Sequence, residues 1–371
     1  MTLEDFFARI ETQYNNQLPF VAYRKPRENK LIALFQTTNE IHKVNDFTEK
    51  GFVFAPFDDA ETSILIPFDD SELISTNSEI LCSNEMFKAT NFIDEKEKFQ
   101  HVNLVAKAIK SIKDKAFEKV VLSRKEEVLI EEINPVFIFK RLLSSYTSSF
   151  DYCWYHPKIG LWLGATPETL VKIEGSQFSI MALAGTQVYK ENLDVVWQDK
   201  EIKEQKFVTD FIVESLKPSV ESLSISDTET VKAGNLVHLK TMISARLKPN
   251  STLKDVINAI HPTPAVCGVP KVIAKQFILN NEHYNREFYT GFLGELNFET
   301  TTAPRSGKRN IENRAYAITK KRTQLYVNLR CMQVKNNKAI LYIGGGITAN
   351  SNPESEWEET VSKSLVIKNI L

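Results

Sequence analysis

Three consecutive glycines constrain this chain more than any other feature. Ile340 to Ile343 form a short apolar run, and Gly344, Gly345 and Gly346 close it. A helix start follows: Ser351 with Glu354 three residues on has the form of a capping box, and Pro353 suits a first turn. On that helix Glu356, Glu359 and Lys363 stand at i, i+3 and i+7 and share a face. A glycine loop here would let backbone N–H groups approach an anion closely, and a helix start favours negative charge. Glutamates just downstream oppose that unless a cation lies between them and the anion. By itself, a Glu359/Lys363 pair at i, i+4 is equally the mark of an ordinary solvated helix face.

The totals exclude several classes. With 46 basic and 47 acidic residues the formal net charge is −1, which gives no basic footprint for nucleic acid and no polybasic membrane signal. The first residues, Met1-Thr2-Leu3-Glu4-Asp5, are acidic and lack an apolar secretory core. No apolar run nears the ~20 residues of a membrane span, so a cytoplasmic protein is expected. Cys82, Cys153, Cys267 and Cys331 lie far apart without a C-x-x-C, and the histidines form no H-E-x-x-H. Free thiols are expected, and neither disulfides nor a zinc hydrolase. No obligate protein partner is evident.

Strand and helix periods then mix along the chain. Apolar runs at Phe20–Tyr23, Leu31–Phe35, Gly51–Phe54 and Ile64–Phe68, broken by Pro56, Asp58, Asp59, Asp69 and Asp70, predict strands in the N-terminal part. Val102, Val105, Ile109, Ile112 and Ala116 predict an amphipathic helix. It leads to Lys119–Arg124, a strand on which Lys119, Val121 and Ser123 share a face. Further strands are predicted at Phe150–Tyr155, Gly160–Leu163, Leu170–Ile173, Phe178–Leu183, Leu236–Ile243, Phe288–Leu296, Leu325–Val334 and Ala339–Ile343. Helices are predicted over Trp197–Leu216 (with Ile202, Thr209, Ile212 and Leu216 on one side), Leu253–Ile260 and Lys271–Leu279. His261–Pro270 reads as a Pro-rich loop and Glu299–Asn313 as a polar surface loop. There is no linker, repeat or strict β-α alternation. The expected fold is one α+β domain over residues 1–371 with mostly antiparallel sheets. Residues 1–100 form its strand-rich part, and 102–371 carry the candidate chemistry.

Glu201 and Glu204 repeat the i, i+3 spacing of the C-terminal glutamates. Two such pairs on two helices would suit magnesium, which takes oxygen ligands and keeps waters; two unrelated solvated helices would show the same spacing. Lys119 either points to solvent or faces inward, where desolvation favours a neutral amine able to act as a base. Glu168 follows Gly164-Ala165-Thr166-Pro167, a loop position where sites concentrate and also a helix first-turn position. Ala184-Gly185-Thr186 ends a strand and offers N–H groups and a hydroxyl to an anion, or simply makes a turn. Arg330 is a charge in the apolar strand Val327–Met332, and a buried arginine needs a carboxylate. Together these parts suggest a small anionic substrate. One carboxylate would go to magnesium and another to Arg330, with a lysine and a glutamic acid moving protons between them.

The motifs Lys119–Arg124, Gly164–Glu168, Leu183–Thr186, Asp199–Glu204, His261–Gly268, Tyr289–Gly291 and Gly344–Lys363 occur in an order that resembles the chorismate-utilising enzymes. These are isochorismate synthases, salicylate synthases, and component I of anthranilate and aminodeoxychorismate synthases. The resemblance covers Val102 to the C-terminus. It implies two stacked antiparallel β-sheets flanked by helices, with the site in a cleft between them. Ala184 stands where aminodeoxychorismate enzymes carry a nucleophilic lysine, which argues against covalent amino transfer. Ala265 stands where salicylate and anthranilate synthases usually carry threonine. Lys119 matches the family's water-activating lysine, which anthranilate synthases usually lack, and Glu168 its general acid.

The implied reaction is chorismate to isochorismate. Neutral Lys119 would deprotonate a water attacking ring C2, and Glu168 would protonate the departing C4 hydroxyl. By the same resemblance Glu201, Glu204, Glu356 and Glu359 hold magnesium, directly or through water, and magnesium holds the ring carboxylate. Arg330, Tyr289, Lys363 and the N–H groups of Gly344, Gly345 and Gly346 hold the enolpyruvyl carboxylate. Gly185, Thr186 and Ala265 line the substrate, and His238 stands beside the ring. Tyr289 is a departure, because some isochorismate synthases have phenylalanine there and pyruvate-releasing members have tyrosine. A salicylate synthase is therefore one alternative, and a catalytically silent chorismate-binding paralogue another. The product would feed menaquinone or siderophore synthesis.

Overall fold

Antiparallel pairing of short apolar strands organises the computed structural model, which describes residues 1–78, 94–130, 133–189, 195–233, 236–302 and 318–371. Helix α1 (Leu3–Asn15) is followed by β1 (Phe20–Arg24), β2 (Lys30–Gln36), β3 (His42–Lys43), β4 (Gly51–Ala55), β5 (Ile64–Pro67) and β6 (Ser71–Asn77). Next come α2 (Glu95–Lys113), β7 (Lys119–Leu129), α3 (Pro135–Ser145), β8 (Phe150–His156), β9 (Gly160–Thr166), β10 (Thr169–Glu174) and β11 (Gln177–Val188). Then follow α4 (Asp199–Leu216), β12 (Val220–Ile225), β13 (Glu229–Ala233), β14 (Leu236–Leu247), α5 (Leu253–Ile260), β15 (Gly268–Val269) and α6 (Lys271–Asn281). The last elements are β16 (Phe292–Thr302), β17 (Ile318–Val327), β18 (Cys331–Lys335), β19 (Lys338–Ile347) and α7 (Pro353–Lys368).

Two sheets result. One runs β15-β7-β19-β18-β9-β8-β1-β2-β6, the other β12-β14-β11-β10-β17-β16-β4-β5-β3, with β13 beside β14. Their facing sides bury an aromatic layer, with Tyr23, Tyr152, Trp154 and Trp162 from the first sheet and Phe52, Phe54, Leu293 and Tyr326 from the second. Phe150 stacks on Tyr326 across the layer, ring centroids 4.1 Å apart. Such a pair adds about 0.5–1.5 kcal/mol beyond its area. Helices α1 and α3 cover the outer face of the first sheet through Phe6, Ile10, Phe139 and Leu142. Helices α4 and α5 cover the second through Val208, Ile212, Val256 and Ile260. Helices α2 and α6 close the β7 edge, packing Val105 and Ile278 on Val120 and Leu122. The α+β architecture of two stacked antiparallel sheets flanked by helices is thus the one expected.

Several local expectations change. Helices α1 and α3 and strand β6 were not anticipated. On α4 the buried face is Gln205, Val208, Ile212 and Leu216, while Ile202 is 50% exposed. Gln205 tolerates burial because its amide donates to the Ala182 carbonyl at 3.0 Å and the Thr241 hydroxyl at 3.1 Å. Strand β11 does not end at Ala184-Gly185-Thr186 but continues through a bulge there. Strand β16 starts at Phe292, and Glu299–Thr302 extend it; the rest of the anticipated polar loop lies outside the described residues, as does Cys82. The anticipated strand Leu325–Val334 breaks at Asn328–Arg330, where Arg330 has φ 47°. Asn328 pins that break, accepting from the Tyr152 hydroxyl at 2.6 Å and donating to the Phe288 carbonyl at 2.9 Å. The glycine run is strand rather than loop: Gly344, Gly345 and Gly346 pair with Ser123, Leu122 and Val121. The cap of α7 is Asn352, which accepts the Ser355 N–H at 3.1 Å, while the Ser351 hydroxyl accepts the Thr348 N–H. Cys153, Cys267 and Cys331 are buried free thiols.

Candidate active site

A cavity of about 210 Å³ lies where β7, the β9–β10 turn, β11, β14 and the end of β19 meet α4 and α7. Of the residues anticipated from the sequence, its lining brings together Glu168, Gly185, Thr186, Glu201, Glu204, His238, Ala265, Tyr289, Arg330, Gly344, Gly345, Gly346, Glu359 and Lys363. Lys119 and Glu356 are not part of that lining but lie against the glycines, on opposite faces of β19. A Cβ on Gly346 would lie 3.2 Å from Lys119 Cε, and one on Gly345 would lie 3.5 Å from Glu356 Oε2.

The glycines form a floor of bare main chain. A Cβ on Gly344 would sit 2.8 Å from the Tyr289 hydroxyl, and one on Gly346 would sit 3.2 Å from Glu204 Oε1. Strand β18 pairs with β19 only as far as Leu341, so beyond it one edge of β19 is free of that partner. The Gly344 carbonyl accepts Lys363 Nζ at 3.0 Å. Gly185 serves a different end. At φ 70° it makes the β11 bulge, and a Cβ there would press on the Glu201 Cβ at 3.1 Å and carbonyl at 3.2 Å. Its bareness lets the start of α4 approach the sheet.

Lys119 faces inward and is 1% exposed; its Nζ donates to Glu204 Oε1 at 2.6 Å. Burial opposes ionisation of Glu204, but the charge and hydrogen bond of Lys119, with the charges of Lys363 and Lys200, together outweigh it and hold the carboxyl below its ordinary value. Glu168, at the β9–β10 turn and 6% exposed, goes the other way. Burial pushes its carboxyl up to about 8, against the opposing pull of Lys119. His238 Nδ1 stands 3.2 Å from the Gly185 carbonyl and 3.1 Å from the Thr186 hydroxyl. Facing a carbonyl, Nδ1 carries the proton, which leaves Nε2 as a buried acceptor without a partner among the described residues. Burial, then the Arg330 charge, lowers this imidazole to about 4, so it is neutral near pH 7. Arg330 lines the cavity from its turn, and no carboxylate pairs with it among the described residues.

The four glutamates do not form a ready-made cage: no group of three or more His, Cys, Asp or Glu side chains converges to hold a metal among the described residues. Each is held locally. Glu201 accepts the Gln198 N–H at 3.0 Å, Glu204 takes Lys119, and Glu359 pairs with Lys363 at 2.7 Å. Lys363 therefore keeps both roles weighed for it, as partner of Glu359 and as a cation over the floor. Glu356 Oε1 lies 3.9 Å from Lys200 Nζ. Burial raises Glu356, with the like charge of Glu359 adding to it against a Ser351 hydrogen bond. Two carboxylates so placed suit a hard cation between them, and an all-oxygen donor set fits magnesium. Lys200 also lines the cavity and went unnoticed in the sequence, where it looks like any lysine on an exposed helix.

Two cations, Lys363 and Arg330, a carboxyl raised by burial, Glu168, and a neutral imidazole, His238, thus share one cavity lining. Residues 57–308 match a family model described as "chorismate binding enzyme", and residues 315–369 match a second so described. The chain belongs to the chorismate-binding enzymes. It is 31% identical over 222 residues to an isochorismate synthase (MenF) of Pasteurella multocida, a match covering 57% of this chain and 46% of that protein. To an isochorismate synthase (DhbC) of Bacillus subtilis it is 28% identical, over 54% of this chain and 48% of that protein. The match to an isochorismate synthase (EntC) of Escherichia coli is 26% identical and covers all of this chain and 91% of that protein. The chain thus matches about half the length of the first two relatives. Among solved structures, one titled a 2,3-dihydroxybenzoate-specific isochorismate synthase from Bacillus anthracis superposes with a TM-score of 0.76 at 21% identity, covering 98% of this chain and 99% of that one. No helix is long and apolar enough to cross a membrane among the described residues.

Proposed function

We propose that this protein is an isochorismate synthase, taking chorismate to isochorismate without releasing pyruvate. The observation that carries the reading is a carboxyl held up to about 8, Glu168, on the wall of one small cavity, with the buried lysine Lys119 bonded at 2.6 Å to Glu204 of the same wall. A carboxyl mostly protonated at pH 7 is suited to protonate a leaving hydroxyl. Lys119 Nζ takes the proton of the water whose oxygen bonds to ring C2; to do so it must be neutral and released from Glu204. Glu168 gives its proton to the C4 hydroxyl as the C4–O bond breaks and the ring double bonds shift, and that oxygen leaves as water. One water enters and one leaves, so the net change is an isomerisation.

Arg330 faces the cavity without a carboxylate of its own and binds one carboxylate of the substrate in bidentate fashion. Tyr289, Lys363 and the floor glycines complete that anchor. Glu201, Glu204, Glu356 and Glu359 would hold magnesium, which when bound supplies the counter-charge for the other carboxylate. Neutral His238 offers Nε2 as an acceptor to a ring hydroxyl. Ala184 provides no amine for a covalent intermediate.

The test is incubation with chorismate and magnesium, product separation, and enzymatic detection of pyruvate. Isochorismate without pyruvate is expected. Salicylate with pyruvate would replace this reading with a salicylate synthase, and no turnover would leave a silent chorismate-binding paralogue.

A further inference from the structure

Arg286 has no part in the chemistry above, yet it is 2% exposed and all three of its guanidinium nitrogens are engaged. Nε and Nη2 donate to the two carboxylate oxygens of Glu282 at 2.7 and 2.6 Å. Nη2 also donates to the Val121 carbonyl at 2.7 Å. Nη1 donates to the Val266 carbonyl at 3.1 Å and the Thr290 hydroxyl at 3.2 Å. Val121, Val266 and Thr290 all line the cavity, and they come from β7, the loop before β15 and the turn before β16. Glu282 extends the net, its Oε1 accepting the Ser123 N–H at 2.7 Å and hydroxyl at 3.0 Å.

A buried ion pair of this kind is weak evidence for stability, because desolvation offsets the Coulomb attraction. What a guanidinium supplies instead is direction, since its N–H donors form a rigid fork that fixes where several acceptors sit. We propose that Arg286 is a positioning residue of the active site. It ties the walls at Val121, Val266 and Thr290 to one another, and so sets the separation of Lys119, two residues along β7, from Tyr289. The kinetic arm of its test rests on the chorismate reading; the structural arm does not.

Arg286→Lys keeps the charge but loses the fork. Amide hydrogen–deuterium exchange reads the walls without substrate. Exchange is expected to rise about fivefold or more, together, in the peptides holding Val121, Val266 and Thr290, and to stay unchanged around Glu356 and Glu359. A rise confined to residues 282–290 overturns the proposal. In turnover, kcat/KM for chorismate is expected to fall about tenfold or more with KM raised, while magnesium affinity by calorimetry stays within about twofold. A fall in kcat that only tracks the folded fraction, with KM unchanged, marks a structural role and overturns it. If Arg286→Lys does not fold, Thr290→Val removes one acceptor at nearly constant volume. There KM is expected to rise about two- to fivefold, and an unchanged KM overturns the proposal. Wild-type protein that ignores chorismate would sink the functional reading and leave the exchange result to decide this one.

Discussion

Lys119 Nζ, at the first residue of β7, lies 2.6 Å from Glu204 Oε1 on α4. The lysine assigned to proton transfer and a glutamate assigned to the cation are therefore direct partners beside the cavity. Removing one member of a pair this enclosed leaves the other charge poorly compensated. A step that uses Lys119 as a base also frees Glu204, so base and metal site are linked through one hydrogen bond.

Lys119→Ala is expected to lower kcat by about 10²-fold or more, the usual range for a lost general base. Chorismate binding by calorimetry should stay within about threefold, because Lys119 is not an anchor for either carboxylate. A near-native kcat would sink the base assignment.

Glu168 has to be protonated to act, and burial holds it up to about 8. The Glu168 limb of the pH profile should therefore fall with unit slope above that value, opposite in sense to the limb of the Lys119 base. The same shift enters stability. In the unfolded chain the group titrates near 4.5, so the folded protein binds the proton more tightly. Its ionisation costs stability progressively as pH rises from about 4.5 to about 8, and by the full amount beyond. Glu168→Gln should abolish turnover yet raise Tm at pH 9 relative to wild type, with little change at pH 4. Equal Tm shifts at the two pH values would contradict the buried carboxyl.

Glu359→Gln removes one carboxylate of the α7 pair and the partner of Lys363 at 2.7 Å. The magnesium concentration for half-maximal rate is expected to rise about tenfold or more, with chorismate KM rising alongside. A magnesium titration that superposes on wild type would count against this glutamate as a ligand.

The floor glycines should respond in graded order. The added Cβ would meet the Tyr289 hydroxyl at 2.8 Å and the Leu122 carbonyl at 3.1 Å at Gly344, and Glu204 and Lys119 atoms at 3.2 Å at Gly346. At Gly345 its nearest neighbour is Glu356 Oε2 at 3.5 Å. Gly344→Ala should lose most activity, Gly346→Ala less, and Gly345→Ala least. None of the three has a positive φ, so Gly345→Ala should hold stability or raise it by about the 0.4–1 kcal/mol typical of a tolerated exchange, read by denaturant unfolding. The reverse activity order would refute the floor geometry.

Much of the fold was legible because its strands are short apolar runs set off by turn residues, as at Phe20–Arg24 and Gly51–Ala55. Helix α1 escaped notice because Phe6, Phe7 and Ile10 sit in a stretch weighed only as a possible leader. Ile202 and Gln205 exchanged places because hydrogen bonds to Ala182 and Thr241 make a glutamine a better core residue there than periodicity allows. Gly344–Gly346 passed for a loop because β propensity does not favour glycine, whereas long-range pairing with β7 decides the outcome. At the site, motif order brought distant residues to one cavity. The Glu359–Lys363 tie was readable from its i, i+4 spacing, but the ties of Glu204 to Lys119 and of Glu356 to Lys200 were not, because they join residues far apart in the chain.

The bare strand proposed to lie beneath the substrate has a consequence for how such a site changes. Main chain has no side chain to exchange, so the surface on which the molecule rests offers mutation only a loss of room. On the proposed reading, the choices that steer a bound molecule toward one fate or another stand elsewhere, at Ala184 and Ala265, on segments of their own. Holding and choosing are carried by different stretches of chain, and either can drift without dragging the other along.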